Sequence, residues 1–185
     1  EIVVPLRMPE TKPGILAHSP AGKVPVLRHG DLVIWESSAI CEYVAELFPQ
    51  AGLLPDDAGA RAVCRSVSAE MHAGFAELRR CMPMDLKRRM PGRGHTPAAL
   101  ADAQRVQQVW RDTRARYGAD GPFLFGRFSI ADAMFAPVCM RFDTYAVPLD
   151  PVGQAYCEAI RGLPAMREWV EAARAEPWTI AFDVV

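Results

Sequence analysis

The sequence predicts an α+β unit followed by an all-α domain, on three observations. Before about residue 50 the apolar pattern changes every few residues, as it does in short strands. After residue 55 apolar residues recur at helical spacing almost throughout, and the stretch from Pro49 to Asp57 separates the two patterns. Domains are therefore expected over residues 1–50 and 58–185, joined by a linker at 51–57. With 185 residues, half of them hydrophobic, the chain can bury such a core.

Ile2-Val3-Val4 is a continuous apolar run, expected as a strand, and Pro5 to Pro20 reads as a proline-punctuated loop with one helical turn. Val24 to Leu27 and Leu32 to Trp35 form a hairpin, because Arg28-His29-Gly30-Asp31 is a short connection containing glycine. Ile40, Val44, Leu47 and Phe48 make an amphipathic helical stripe that Pro49 ends. One long helix then carries Val63, Val67, Met71, Phe75, Leu78 and Met82 on a single face and closes before Pro83.

Thr96-Pro97 is an N-cap followed by proline at the first helical position, and the helix through Val106 and Trp110 stops at Gly118. Asp150-Pro151 and Leu163-Pro164 open two further helices, the second expected to bury Met166, Trp169 and Val170. Between Gly118 and Asp150, FSIADAMFAPVCMRF has Ser129 as N-cap and Asp132 three residues on, a short-acid form of the capping box. Ile130, Met134, Phe135, Val138, Cys139 and Phe142 point in most directions, so this helix is expected at the centre of its domain. Ser129-Ile130-Ala131-Asp132 is read as a folding device.

Composition excludes several functions. A net charge of −1 with interspersed Lys and Arg gives no sign of nucleic-acid binding. No apolar run is long enough to span a membrane, and the opening residues do not read as a signal peptide. Five widely spaced cysteines without a CxxC pair fit a reducing, cytoplasmic setting, and the four histidines show no metal-ligand spacing.

Two segments carry chemistry. Proline is scarce in sheets because it cannot donate to the ladder, yet Val24-Pro25-Val26 sits at the start of a strand. A cis Val24-Pro25 bond would turn the backbone N–H and C=O of Val24 outward, as a short edge for an extended peptide. Glu36-Ser37-Ser38 then ends a strand and starts a helix, whose N-terminal N–H groups suit a carboxylate. Ser37 adds a hydroxyl, and Glu36 adds an acceptor for an ammonium group. A small peptide with a free α-amino-acid end fits both, and glutathione is such a ligand.

GKVPVL, ESSAI and FSIADAMFAPV, in that order, resemble the cytosolic glutathione transferase family over essentially the whole chain. The resemblance implies a thioredoxin-like N-terminal domain, incomplete at its start, followed by an all-helical C-terminal domain, and a homodimer. It implies that Val24 pairs with the cysteinyl part of glutathione and that Pro25 is a cis-proline. Glu36 and Ser37 would hold the γ-glutamyl end, and Lys23 would reach the glycyl carboxylate. The alternatives are a plain helix cap for Glu36 and Ser37, a solvated loop lysine for Lys23, and a packing role for Cys41 and Tyr43. Ser19 stands where relatives often have asparagine. Met140-Arg141-Phe142 resembles a zeta-class segment whose arginine binds a substrate carboxylate, the alternative being an ion pair with a neighbour such as Asp143.

The resemblance also implies that the central strand of the first domain and its thiolate-stabilising residue lie upstream of Glu1, so no catalytic residue is named. The expected function is a glutathione S-transferase that activates the glutathione thiolate against a small electrophile, with isomerisation or dehalogenation as variants. The alternative is a non-catalytic binding or regulatory protein of the same fold.

Overall fold

The computed structural model describes residues 1–180. Two compact units divide the described residues, one of Glu1–Ala51 with residues 177–180 and the other of Gly52–Glu176.

In the first unit, β1 (Val26–His29) and β2 (Leu32–Trp35) pair antiparallel with Val26 opposite Trp35 and His29 opposite Leu32. The connection is only Gly30-Asp31, with Gly30 at a φ of 59°, which glycine adopts without a steric penalty. The first strand lies two residues later than expected. Pro25 has no N–H to give the ladder, so pairing begins at Val26 and continues to the turn. Helix α1 (Thr11–Leu16) fills more of the 5–20 loop than one turn. Pro13 is tolerated there because N–H groups in a first turn have no intrahelical acceptor. Helix α2 (Ser37–Leu47) packs on both strands.

Ile2-Val3-Val4 is not a strand. These residues are irregular, Ile2 and Val3 are exposed, and no described strand pairs with them. A β-branched run favours a pleated surface only where neighbouring chain supplies the ladder.

The second unit is helical, with α3 (Ala58–Ala73), α4 (Ala76–Cys81), α5 (Pro97–Tyr117), α6 (Ile130–Tyr145), α7 (Pro151–Gly162) and α8 (Pro164–Ala175). Side-chain caps start three of them: Asp57 accepts from Ala60 N at 2.7 Å, Thr96 from Ala99 N at 3.2 Å, and Asp150 from Gly153 N at 2.7 Å. Helix α6 is central, as its all-round apolar sequence predicts. Phe135 and Phe142 on α6 meet Trp110 of α5, and Trp110 meets Tyr156 of α7, with ring centroids 4.8–5.9 Å apart.

Asp132 holds this core together. It accepts hydrogen bonds from Ser129 N and Ser129 Oγ at 2.8 Å each, and from Leu124 N and the Tyr156 hydroxyl at 3.0 Å each. The capping box is present, with two further donors from outside the helix.

Two expectations are corrected. The long helix through Val63 and Met82 is broken, because Gly74 is extended and Phe75 is left-handed at a φ of 58°. A Cβ at Gly74 would lie 2.7 Å from the Glu70 carbonyl oxygen, so the turn needs glycine. Side chains secure the broken ends. Asp102 accepts from Leu78 N at 2.9 Å, and Arg79 reaches back to the carbonyls of Met71 and His72. Helix α8 buries none of its residues, and Trp169 is exposed while Met166 and Val170 are half-buried. It packs chiefly on α7, which covers only one stripe of a terminal helix.

Candidate functional site

Ser19 shapes the approach to the site. It is buried, its N–H donates to Ile15 O at 2.8 Å, and its carbonyl accepts from Gly22 N at 3.2 Å. Its hydroxyl accepts from Lys23 N at 3.3 Å, closing the loop just before Val24. Sequence reading left Ser19 without a role, and the geometry gives it a positioning one. The Val24-Pro25 peptide is cis. Val24 is exposed, and its backbone N–H and C=O have no partner among the described residues. Lys23 is also exposed.

The hairpin register brings the second half of the site to the same place. Because Val26 pairs with Trp35, Pro25 just before β1 and Glu36 just after β2 stand at one end of the ladder. Glu36 has a φ of 71° and a ψ of 124°, a conformation that costs a non-glycine residue about 1–3 kcal/mol. Its carbonyl accepts from Ile40 N at 3.0 Å, but its side chain does not cap α2. The N–H groups of Ser37, Ser38 and Ala39 therefore have no acceptor among the described residues. One open peptide edge and one uncapped helix N-terminus adjoin, and Glu36 and Ser37 at their junction are half-buried.

Cys41 and Tyr43 lie further along α2. Burial, then Glu42, raises the Cys41 thiol above its ordinary value, the opposite of nucleophile activation. The Tyr43 hydroxyl is 2.7 Å from His29 Nδ1, tying α2 to the end of β1.

Arg141 belongs to the second unit, near the end of α6. Its Nε donates to Met82 O at 3.0 Å and its Nη1 to Pro137 O at 3.4 Å. The alternative ion pair with Asp143 does not form. Residues two apart on a helix do not face each other, and Asp143 instead accepts from Arg89 at 3.1 Å, with Arg161 at 4.0 Å. Arg141 thus has no carboxylate among the described residues. Burial, and secondarily the charge of Arg79, lowers its pKa to about 10, so it remains cationic at neutral pH. Arg79 was not singled out in the sequence, because Arg79-Arg80 reads as an ordinary solvated pair.

The described residues contain no helix long and apolar enough to cross a membrane, and no group of three potential metal ligands.

Both units are similar to known proteins. Residues 1–47 match the glutathione S-transferase N-terminal domain and residues 67–172 match the glutathione S-transferase C-terminal domain. Glutathione S-transferase 3 of Zea mays is 31% identical over 171 residues, covering 90% of this chain and 72% of its own length. Maleylacetoacetate isomerase of Pseudomonas aeruginosa is 31% identical over 150 residues, covering 75% and 66%. A glutathione S-transferase of Arabidopsis thaliana is 30% identical over 176 residues, and the chain spans 65% of its length. The chain thus spans less than two thirds of the Arabidopsis and Pseudomonas relatives. Among solved structures, a Burkholderia glutathione transferase homologue with bound glutathione shares the fold at a TM-score of 0.67 and 24% identity, covering 91% of this chain and 80% of that one. With both family domains matched in order and a relative 31% identical over 90% of the sequence, the chain belongs to the glutathione S-transferase family.

Proposed function

We propose that this protein is a glutathione-dependent transferase whose glutathione lies at the end of the hairpin. The observation that carries the reading is the register, which sets the open Val24 backbone beside Glu36 and the uncapped N-terminus of α2. Glutathione fits in length and in chemistry. Val24 N–H and C=O pair with the cysteinyl amide, Glu36 accepts from the γ-glutamyl ammonium, and the Ser37 hydroxyl and helix N–H groups donate to its carboxylate. Lys23 meets the glycyl carboxylate, and Pro25 fixes the turn that exposes Val24. Bound glutathione supplies a thiol that, once deprotonated, attacks an electrophilic carbon.

Arg141 selects the second substrate. A partly buried cation with no carboxylate of its own is costly, and an acidic electrophile would supply the missing charge through two parallel hydrogen bonds. This favours small acids, and with the likeness to maleylacetoacetate isomerase it supports glutathione-assisted isomerisation, with dehalogenation of a small acid as a variant. The protein acts in the cytoplasm as a homodimer, with a glutathione-binding domain at 1–50, a linker at 51–57 and a helical domain from 58.

Titration calorimetry with glutathione tests the site. Ser37→Ala removes a charge-assisted hydrogen bond and weakens binding by about 1–2 kcal/mol. Unchanged affinity would remove Ser37 from the site. Full glutathione affinity without thiol transfer to a panel of acidic and neutral electrophiles would favour the non-catalytic reading.

A further inference from the structure

Helix α3 packs chiefly on α6, while α5 packs chiefly on α4 and α7. A groove of about 200 Å³ is left between α3 and α5. An apolar cavity of about 150 Å³ holds a benzene ring, so this volume suits a small ligand with one ring or one branched chain.

The groove is built from both helices. Val63 and Val67, one turn apart on α3, line it together with Val109 of α5, and Val67 and Val109 are buried. One end is closed by a two-pronged ion pair, in which Arg105 Nε and Nη2 donate to the Glu70 carboxylate at 2.7 and 3.0 Å. At the other end of its α5 wall, Tyr117 is stacked on Phe125 with ring centroids 5.3 Å apart.

Three further side chains of α5 line the groove with bonding capacity to spare. Thr113 is buried, yet its hydroxyl has no hydrogen-bond partner among the described residues. Asp112 and Arg116 are exposed and four residues apart, hence neighbours on one helix face, but neither forms an ion pair among the described residues. Arg105 feels the charge of Asp112, but its own fork is already filled by Glu70. The Arg116 guanidinium meets only the Tyr117 ring, at 5.1 Å. One acceptor, one cation and one hydroxyl thus adjoin an apolar floor.

We propose that this groove is a second binding site, for a free apolar α-amino acid such as phenylalanine or leucine. The side chain lies on the three valines, the ammonium donates to Asp112, and the carboxylate accepts from Arg116 and the Thr113 hydroxyl. A carboxylate alone would meet the charge of Asp112, and an amine alone that of Arg116, so the rim selects a zwitterion. Every lining residue belongs to the helical unit, so the site depends neither on the hairpin nor on Arg141.

Titration calorimetry with phenylalanine, 3-phenylpropionate and phenethylamine tests the site, since the last two each lack one of the charges. Phenylalanine binds about tenfold or more tightly than either, the loss of one charge-assisted hydrogen bond. Asp112→Asn removes its advantage over 3-phenylpropionate and Arg116→Gln its advantage over phenethylamine. Both positions are exposed, so these variants keep the test sound should a groove variant fold poorly. Val63→Trp fills the groove without touching either charge and abolishes binding. No binding of phenylalanine up to about 10 mM, where even a millimolar site would be largely filled, overturns the proposal. So does equal binding of the three probes, or binding that survives both Val63→Trp and Arg116→Gln. A second copy of the chain is the rival occupant, and loss of self-association in Val63→Trp with no phenylalanine binding by wild-type protein gives the groove to it instead.

Discussion

Replacing Asp132 by alanine tests how the helical unit is held. The carboxylate accepts from four donors, Ser129 N, Ser129 Oγ, Leu124 N and the Tyr156 hydroxyl. The Ser129 hydroxyl can rotate to another acceptor, but the other three donors are left in a water-poor core. Each orphaned group costs about 1–3 kcal/mol, and water entering the space of the lost carboxyl offsets part of that. A loss of about 3–5 kcal/mol is expected, a large part of the stability of an ordinary domain. Burial raises the Asp132 carboxyl above its ordinary 3.8, against the lowering effect of its four donors. A raised folded-state value means that this titration favours the folded state most below about pH 4 and less as pH rises through the folded-state pKa. The cost of Asp132→Ala is therefore greatest in acid and shrinks toward neutrality. Urea unfolding from acid to neutral pH measures both quantities, with Tyr156→Phe as a milder variant that loses one donor and about 1 kcal/mol. A loss below 1 kcal/mol for Asp132→Ala, or a cost that grows with pH, would refute this account of the core.

Gly94→Ala should destabilise the protein by about 2 kcal/mol or more, seen as a lower urea midpoint, because the added carbon collides with a backbone carbonyl rather than a movable side chain. Arg141→Met should leave stability unchanged or raise it by about 1–2 kcal/mol, since a buried charge with no carboxylate is exchanged for a side chain of similar shape. A large loss of stability would show that its bonds to Met82 and Pro137 outweigh the burial cost. Glu36→Gly should stabilise the protein by about 1 kcal/mol by relieving the positive φ, while glutathione affinity falls; a variant that gains stability and keeps its affinity removes Glu36 from the site.

Much of the fold is legible because local signals coincide with what the chain can satisfy locally. The hairpin, the caps at Thr96, Ser129 and Asp150, and the central placement of α6 each follow from residues a few positions apart. The break between α3 and α4 is not legible in this way. Val67, Met71, Phe75, Leu78 and Met82 keep helical spacing across it, and Asp102, which secures α4, is twenty-four residues from Leu78. The strand expected at Ile2-Val3-Val4 fails for a related reason, since its ladder depends on another segment of chain. In the site, the spacing of Val24-Pro25 and Glu36-Ser37 was readable, but their meeting at one end of the hairpin depends on the register. Arg141 was readable as a candidate and its partners were not, because Asp143 is near it in sequence and on a different side of the helix.

Asp132 and Glu36 contrast a residue spent on the fold with one in the proposed binding site. Both are acids at the start of a helix, and sequence alone offers each the role of cap. Asp132 is fully buried and accepts from every donor around it, including two from outside its own cap, so its carboxylate is spent on folding. Glu36 is only half-buried, in a conformation that a folding device has no reason to adopt, and its side chain leaves the first N–H groups of α2 open. A strained residue that fails to cap the helix it begins leaves that helix end open. It stands beside a set of open donors, at the same end of the hairpin as the open backbone of Val24. That is the pattern an α-amino acid requires, since its ammonium and carboxylate need an acceptor and a donor set side by side.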